Sequence, residues 1–457
     1  MPSPTAAEST LLPLRAGVPG SAQAGLHRLP GTDRKVVLVS VDQGVRRGAL
    51  GAADSETVAR AAAMALAQRL PLVVVLASSG ADILEGVASL DGWGRAARAL
   101  ADCSGIVPVV VVVYGLAVSG PALLLGMADA VVMTDAAVAY LSGPAAVREW
   151  TGQHLDPSVL GGQAVHTRSS GVAALVASDG PGALESVAAL LDYLPDHTDE
   201  APPSWPSGDP WDRPTPDLRD LLPASETGSY DVRRVMAAIA DEGEYLELRA
   251  GWAPQLVTAL CRVAGGPVGV VANQPQSMAG TLDIAASQKG ARFVAFCDSF
   301  NIPLLTLVDT PGFMPGKDLE WRGMIRHGAQ LVFAYAEATV PRVCLILRKA
   351  FGGAYIVMDS KGMGNDMCLA WPSAQVAVMG AQGAVQILHR REDSGTRARL
   401  QVEYEERYLN PYVAAERGFV DEVIDPADSR RAVVRALRLL STKRERLVAR
   451  KHGNGPL

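Results

Sequence analysis

Two ten-residue stretches decide the fold: PLVVVLASSG at residues 71–80 and PLLTLVDTPG at residues 303–312. Each is a proline, a run of aliphatic residues, and a small-residue turn ending in glycine. Continuous apolar runs of this kind read as strands buried on both faces, as in a parallel sheet covered by helices. Pro71 to Pro303 is a step of 232 residues. Working outward, Pro108 is followed by VVVVVYGLAVSGPALL and Pro341 by RVCLILRKAFGGAYIV, a step of 233. Leu141-Ser142-Gly143-Pro144 and Val378-Met379-Gly380-Ala381 follow, and Gly143 to Gly380 is a step of 237. Three matches in one order at nearly one spacing indicate an internal duplication, two copies of one α/β domain in tandem.

The rest of the chain divides around these copies. Residues 1–33, rich in Ala, Pro and Gly, read as a loosely ordered arm. Lys35–Val41 reads as the first strand, Ser55–Arg69 as an Ala-rich helix and Leu72–Leu76 as a buried strand. Helix and strand signals alternate to Leu194, so residues 34–194 form the expected first domain. Pro195, Pro202, Pro203, Pro206, Pro210, Pro214, Pro216 and Pro223 exclude helix or central strand over 195–229, the expected linker. The alternation resumes at Tyr230, and residues 230–457 form the expected second domain. A chain of 457 residues exceeds one ordinary core, which agrees with two domains.

Composition narrows the classes. With 48% hydrophobic and 20% charged residues, the chain reads as a soluble globular protein. A net charge of −6 argues against a nucleic-acid surface. Cys103, Cys261, Cys297, Cys344 and Cys368 form no CxxC pair and read as reduced core thiols. The histidines lack ligand spacing, so no bound metal is expected. Ile106–Ala128 carries no charge until its end and is long enough to cross a bilayer. Pro108, Gly115 and Ser119-Gly120-Pro121 interrupt it, so it reads instead as a buried strand (Val107–Tyr114), a tight turn and a buried helix. Met1–Gly20 lacks a signal pattern, and the expected location is the cytoplasm.

In both copies an apolar strand ends in a small-residue turn with a helix behind it. The first amides of such a helix have no partner within it, and the helix dipole adds positive charge there. That arrangement can steady an oxyanion. The candidate turns are Ser119-Gly120 and Gly352-Gly353-Ala354. No Ser/His/Asp set, carboxylate pair or metal cluster stands out, as expected of a reaction run by backbone dipoles.

The run Val268–Leu388 closely resembles the C-terminal domain of the β subunits of biotin-dependent acyl-CoA carboxylases. The matching stretches are VGVVANQP (Val268–Pro275), KGARFVAFCDSFNIPLLTLVDTPGFMPG (Lys289–Gly316), IRHGAQL (Ile325–Leu331), EATVPRVCLILRKAFGGAYIVM (Glu337–Met358) and AWPSAQVAVMGAQGAVQIL (Ala370–Leu388). Tyr412–Pro426, with GFVDEVIDP inside it, also fits. The resemblance implies an α/β fold of two tandem crotonase-like ββα spirals, and a hexamer of two stacked trimers. It implies an N-domain that takes acyl-CoA and a C-domain that takes carboxybiotin carried on a biotin carboxylase/biotin carboxyl carrier (α) subunit. It implies no metal, nucleic acid or membrane.

By the same resemblance, Gly353 and Ala354 steady the ureido oxygen left when the carboxyl group departs, and Ser119 and Gly120 hold the thioester oxygen as an enolate. The cofactor is the base, so no side-chain base is required. Phe351, Gly352, Tyr355, Ile356, Gly380 and Ala381 are the expected binding residues of the second copy, with Arg326 toward a CoA phosphate. Gly80, Ala81, Gly143 and Pro144 are those of the first.

The first copy departs from the family pattern. Relatives read SGGAR followed by EG; here the chain reads Ser78-Ser79-Gly80-Ala81-Asp82, with Glu85-Gly86 kept. An aspartate there would repel a CoA phosphate. The usual AGGA turn is Val118-Ser119-Gly120-Pro121, and Pro121 has no amide to offer. In the second copy Ile356 and Gln375 stand where relatives often carry Asp and Glu. His327 reads as a satisfied core histidine, and Lys289 with Arg292 as a solvated helix face. Three readings follow: a carboxyltransferase acting on acetyl-CoA or propionyl-CoA, a biotin-independent decarboxylase of a malonyl-type thioester or β-keto acid, and a non-catalytic subunit of a mixed ring.

Overall fold

The computed structural model of the protein describes residues 10–13, 20–225 and 227–456. It divides into two compact units, residues 1–203 with 249–252, and residues 204–248 with 253–457. The first unit carries strands β1 (Thr10–Pro13), β2 (Ala22–Arg28), β3 (Lys35–Val41), β4 (Leu72–Ser78), β5 (Val109–Val118), β6 (Ala130–Thr134), β7 (Val138–Tyr140) and β8 (Leu175–Ala177). They form one sheet in the order β1-β2-β3-β4-β5-β6-β8, and β7 pairs with the far end of β5. β2 and β3 are antiparallel, and from β3 onward the pairs are parallel. Every residue of β4 is buried, which is why its sequence is an unbroken apolar run.

The second unit repeats this plan. Its strands are β9 (Tyr245–Glu247), β10 (Leu256–Val263), β11 (Gly266–Asn273), β12 (Leu304–Thr310), β13 (Arg342–Phe351), β14 (Met367–Ala370), β15 (Gln375–Ala377) and β16 (Glu422–Val423). The order is β16-β14-β13-β12-β11-β10-β9, with β15 on the end of β13, strand for strand the order of the first sheet. The expected duplication is therefore a duplication of topology. It reaches single residues: Leu50 bridges Ala81 in the first unit, and Leu282 bridges Phe313 in the second. Asp129 accepts a hydrogen bond from the Val109 amide, and Asp366 one from the Arg342 amide.

One turn explains part of this fidelity. Gly48 (φ 71°) and Gly280 (φ 73°) follow residues that also have positive φ. A Cβ on Gly48 would lie 1.9 Å from the Ala77 carbonyl oxygen, and one on Gly280 2.5 Å from that of Asp309. Only glycine lets each loop settle against the neighbouring strand. The helices behind the turns, Ala52–Gln68 and Ile284–Ser299, cover one face of each sheet.

Several local expectations are corrected. Ala22–Arg28, read as part of an arm, is a full strand with seven residues paired to β3; its sequence alternates less cleanly because it carries Gly25 and buries His27. Met1–Thr5 and most of the rest of the expected arm lie outside the described residues. Residues 195–229 hold no helix beyond a single turn at Pro216–Leu218, yet they pack closely. Leu218 and Leu221 enter the second unit's core, and the Thr215 amide donates to the Ala427 carbonyl. The expected helix after β5 is a short turn and four residues, Leu124–Met127, because Pro121 and Gly126 crowd the segment. Lys289 is buried rather than solvated, its Nζ 3.4 Å from the Ala253 carbonyl. Among the described residues no helix is long and apolar enough to cross a membrane.

Candidate active site

The second unit brings most of its expected residues together. β13 ends at Phe351, and the helix Gly352–Val357 starts at once. Gly352 has φ 60°, and a Cβ there would meet the Val378 carbonyl oxygen at 3.1 Å, so the turn requires glycine. The amides of Gly353 and Ala354 lie in the first turn of that helix, ahead of its first internal hydrogen bond. Gly353 is exposed, whereas Ala354 is fully buried. The Phe313 ring covers the turn, 3.6 Å from a Cβ position on Gly353. Phe351 packs against Gly380 and Ala381 and so pins the following helix, Ala381–Leu388, to the strand end.

Beside the turn lies a cavity of about 550 Å³. Gly352, Gly353, Tyr355 and Ile356 form one side, and Val376, Ala377 and Val378 a second. Tyr404, Tyr408 and Phe419 close it from the far wall. Ile356 is 44% exposed, placing an apolar side chain where relatives carry a carboxylate. Burial holds the Tyr355 hydroxyl protonated, well above the usual phenol range. Ser360 is 1% exposed, borders the cavity, and its hydroxyl has no partner among the described residues.

Arg326 does not line this cavity. It is exposed on the helix Met324–Glu337, 3.2 Å from His327 Nε2. His327 Nδ1 lies 3.0 Å from Gln288 Nε2, so the ring is satisfied within the protein. The tyrosine wall, Ser360 and Arg417 were not legible in the sequence. They lie 4 to 67 residues past Ile356, and no motif ties them to the turn. The helix Ser394–Tyr408, which carries two of them, shows only ordinary helical patterning.

The first unit builds a different version of the same turn. Gly80 (φ 112°) stands beside Ser119, its Cβ position 3.4 Å from the serine Cβ. The Ser119 amide donates to the Tyr140 carbonyl at 3.0 Å. This corrects the expectation that Ser119 offers a free N–H: the amide is taken by β7, and Pro121 has none. Ser119 also sits at φ 62°, ψ −142°, a conformation strained for any residue but glycine. Gly143 and Pro144 start the helix Pro144–Thr151, with Gly143 against the Tyr140 ring.

Asp82 is buried, and its carboxylate pairs with Arg46 at 2.8 Å. Arg46 also pairs with Asp54 at 2.7 Å. The charge read as a repellent for phosphate is thus neutralised inside the unit. Ala81 is held by the bridge to Leu50. All five cysteines are buried and free, and burial pushes the Cys103 and Cys261 thiols up to about 12, so neither is a nucleophile at neutral pH.

A family model described as the carboxyl transferase domain matches residues 24–455. The chain is 45% identical over 443 residues to the propionyl-CoA carboxylase beta chain of Saccharopolyspora erythraea, covering 93% of this chain and 81% of that one. It is 44% identical over 430 residues to the methylmalonyl-CoA carboxyltransferase 12S subunit of Propionibacterium freudenreichii subsp. shermanii, covering 93% and 82%. The crystal structure of transcarboxylase 12S, a hexamer with methylmalonyl-coenzyme A and methylmalonic acid bound, superposes with a TM-score of 0.94 at 42% identity. That match covers 97% of this chain and 86% of the other.

Proposed function

The chain belongs to the carboxyl transferase family, and from that premise we propose a division of labour between its two crotonase-like units. It is a carboxyltransferase of the propionyl-CoA/methylmalonyl-CoA type, moving a carboxyl group between biotin and the acyl α-carbon. The observation that carries the division is the turn Gly352–Ala354, whose first-turn amides border an apolar cavity. The residues there fit a biotin head group. A bicyclic ring with a ureido carbonyl needs an apolar, aromatic-lined space and donors for one oxygen. The tyrosine wall and the amides of Gly353 and Ala354 supply both, and the unpartnered Ser360 hydroxyl adds a polar group.

When bound, biotin supplies the carboxyl group and, after giving it up, the base. The chain's own residues hold and orient. Gly353 and Ala354 N–H point at the oxygen where charge develops, and each such donor lowers the barrier by about 3–4 kcal/mol. Ile356 and Tyr355 keep the cavity apolar, which strengthens those interactions and excludes water. In the first unit the Gly120 amide faces the thioester oxygen, where charge gathers as the α-proton leaves. The biotin arrives on a carrier subunit, the active assembly is a hexamer, and the protein works in the cytoplasm.

The test is to incubate the purified protein with methylmalonyl-CoA, with and without free biotin, and follow loss of the carboxyl group. Biotin-dependent loss is the expected result. Loss of equal rate without biotin would replace this reading by a biotin-independent decarboxylase. No loss in either tube, with a second β-type chain co-purifying, would make the protein a structural subunit.

A further inference from the structure

The two turns differ in donors by one. Ser119, Gly120 and Pro121 stand 233 residues before Gly352, Gly353 and Ala354. The second unit offers the amides of Gly353 and Ala354. In the first, the counterpart of Ala354 is Pro121, which has no N–H, and the neighbouring Ser119 amide is bonded to Tyr140. Gly120 is left as a single backbone donor.

A side chain lies at that vacancy. Trp93, on the helix Val87–Cys103, sets the nitrogen edge of its indole against Gly120. A Cβ on Gly120 would lie 2.9 Å from Nε1, 3.0 Å from Cε2 and 3.2 Å from Cδ1. Indole Nε1 is a donor only. Here it is shielded from solvent and has no hydrogen-bond partner among the described residues. Leaving such a donor unpaired costs about 1–3 kcal/mol. In the second unit the ring over the equivalent glycine is Phe313, in ordinary contact at 3.6 Å and with no polar atom. The unit with two amides is covered by a ring without a donor, and the unit with one amide by a ring that has one.

We propose that Trp93 Nε1–H is the second donor of the acyl-side oxyanion hole, replacing the amide absent at Pro121. The thioester oxygen is then held between the Gly120 amide and the indole. As the α-proton passes to the biotin base, the electron pair of the C–H bond moves onto that oxygen, and both donors meet the developing charge. Trp93 is in this sense a catalytic residue. The proposal rests on the carboxyltransfer reading.

The experiment uses the full-length protein and the biotin-dependent loss of carboxyl from methylmalonyl-CoA. Trp93→Phe keeps an aromatic ring and deletes the N–H. A donor acting on the developing charge predicts a fall in kcat of about 10²–10³-fold with KM nearly unchanged. Pro121→Ala restores a backbone amide, and the double variant is expected to recover at least tenfold over Trp93→Phe alone. Wild-type kcat in Trp93→Phe overturns the proposal. So does a loss that Pro121→Ala fails to rescue, above all with a lowered Tm, since that is the signature of packing alone. Inactive wild-type protein would instead overturn the carboxyltransfer reading and the proposal with it.

Discussion

The two turns at the ends of β5 and β13 share a backbone and differ in chemistry. Both follow a ten-residue strand, both carry a short parallel strand at its tip, and both pass through positive φ before a helix. In the second unit that φ belongs to Gly352, which meets the demand without strain. In the first it belongs to Ser119. The duplicated fold fixes the path of the chain, while the residues placed on it decide how many N–H groups face the site. The comparison teaches that an oxyanion hole is counted in free amides and not in turns.

The largest expected effect comes from making the second turn like the first. Ala354→Pro removes one donor at a helix position where proline is tolerated. Carboxyl transfer is expected to fall about 10²–10³-fold while Tm moves little. Steady-state kinetics beside a thermal melt would check both, and near-normal kcat would break the comparison. The next effect concerns the loops that hold the turns. Arg46 pairs with the buried Asp54 and Asp82, and the residues 232 positions on are Met278, Ala286 and Met314. Arg46→Met copies the second unit's residue but leaves two buried carboxylates unpaired. Arg46 is partly exposed, so the expected loss is moderate, about 2–3 kcal/mol by denaturant unfolding.

A smaller effect of opposite sign is expected from Ser119→Gly, which relieves the strained φ. It should stabilise the first unit by about 1 kcal/mol, read as a rise in Tm. No rise would mean that the turn relaxes in solution.

The smallest effect is a pH dependence confined to the second unit. Asp359 is fully buried; desolvation pushes its carboxyl up to about 7, with the Arg342 guanidinium pulling the other way. The positions 233 before these are Gly126 and Val109, which do not titrate. The folded state thus favours the protonated acid. That stability is present in full below the unfolded value near 4 and is lost as pH rises to about 7. Asp359→Asn should flatten this slope, so the Tm of variant minus wild type should grow between about pH 4 and 7. A constant difference across that window would remove Asp359 as its source.

Much of this was legible in advance. The strand Lys35–Val41 was read at its observed ends, and the turns Ser119-Gly120 and Gly352–Ala354 were located from the strand, glycine and helix order alone. The domain with intact family motifs was also the one whose expected residues converge on one cavity. Asp82 and Lys289 went the other way: each charged side chain read as facing outward is buried against a partner far along the chain.

The sequence by itself determined the duplication, the strand order implied by it, and the chemistry of the second turn. Those features leave local traces, because a strand buried on both faces must be apolar throughout and a turn at positive φ calls for glycine. Only the tertiary structure decided which amides stay free, which charges are neutralised, and which side chains wall the cavity. The Ser119 amide is lost to Tyr140, 21 residues away, and Gly120 is covered by Trp93, 27 residues before it. Hydrogen bonds and close contacts depend on what the fold brings near, and nothing in the local pattern of residues records that.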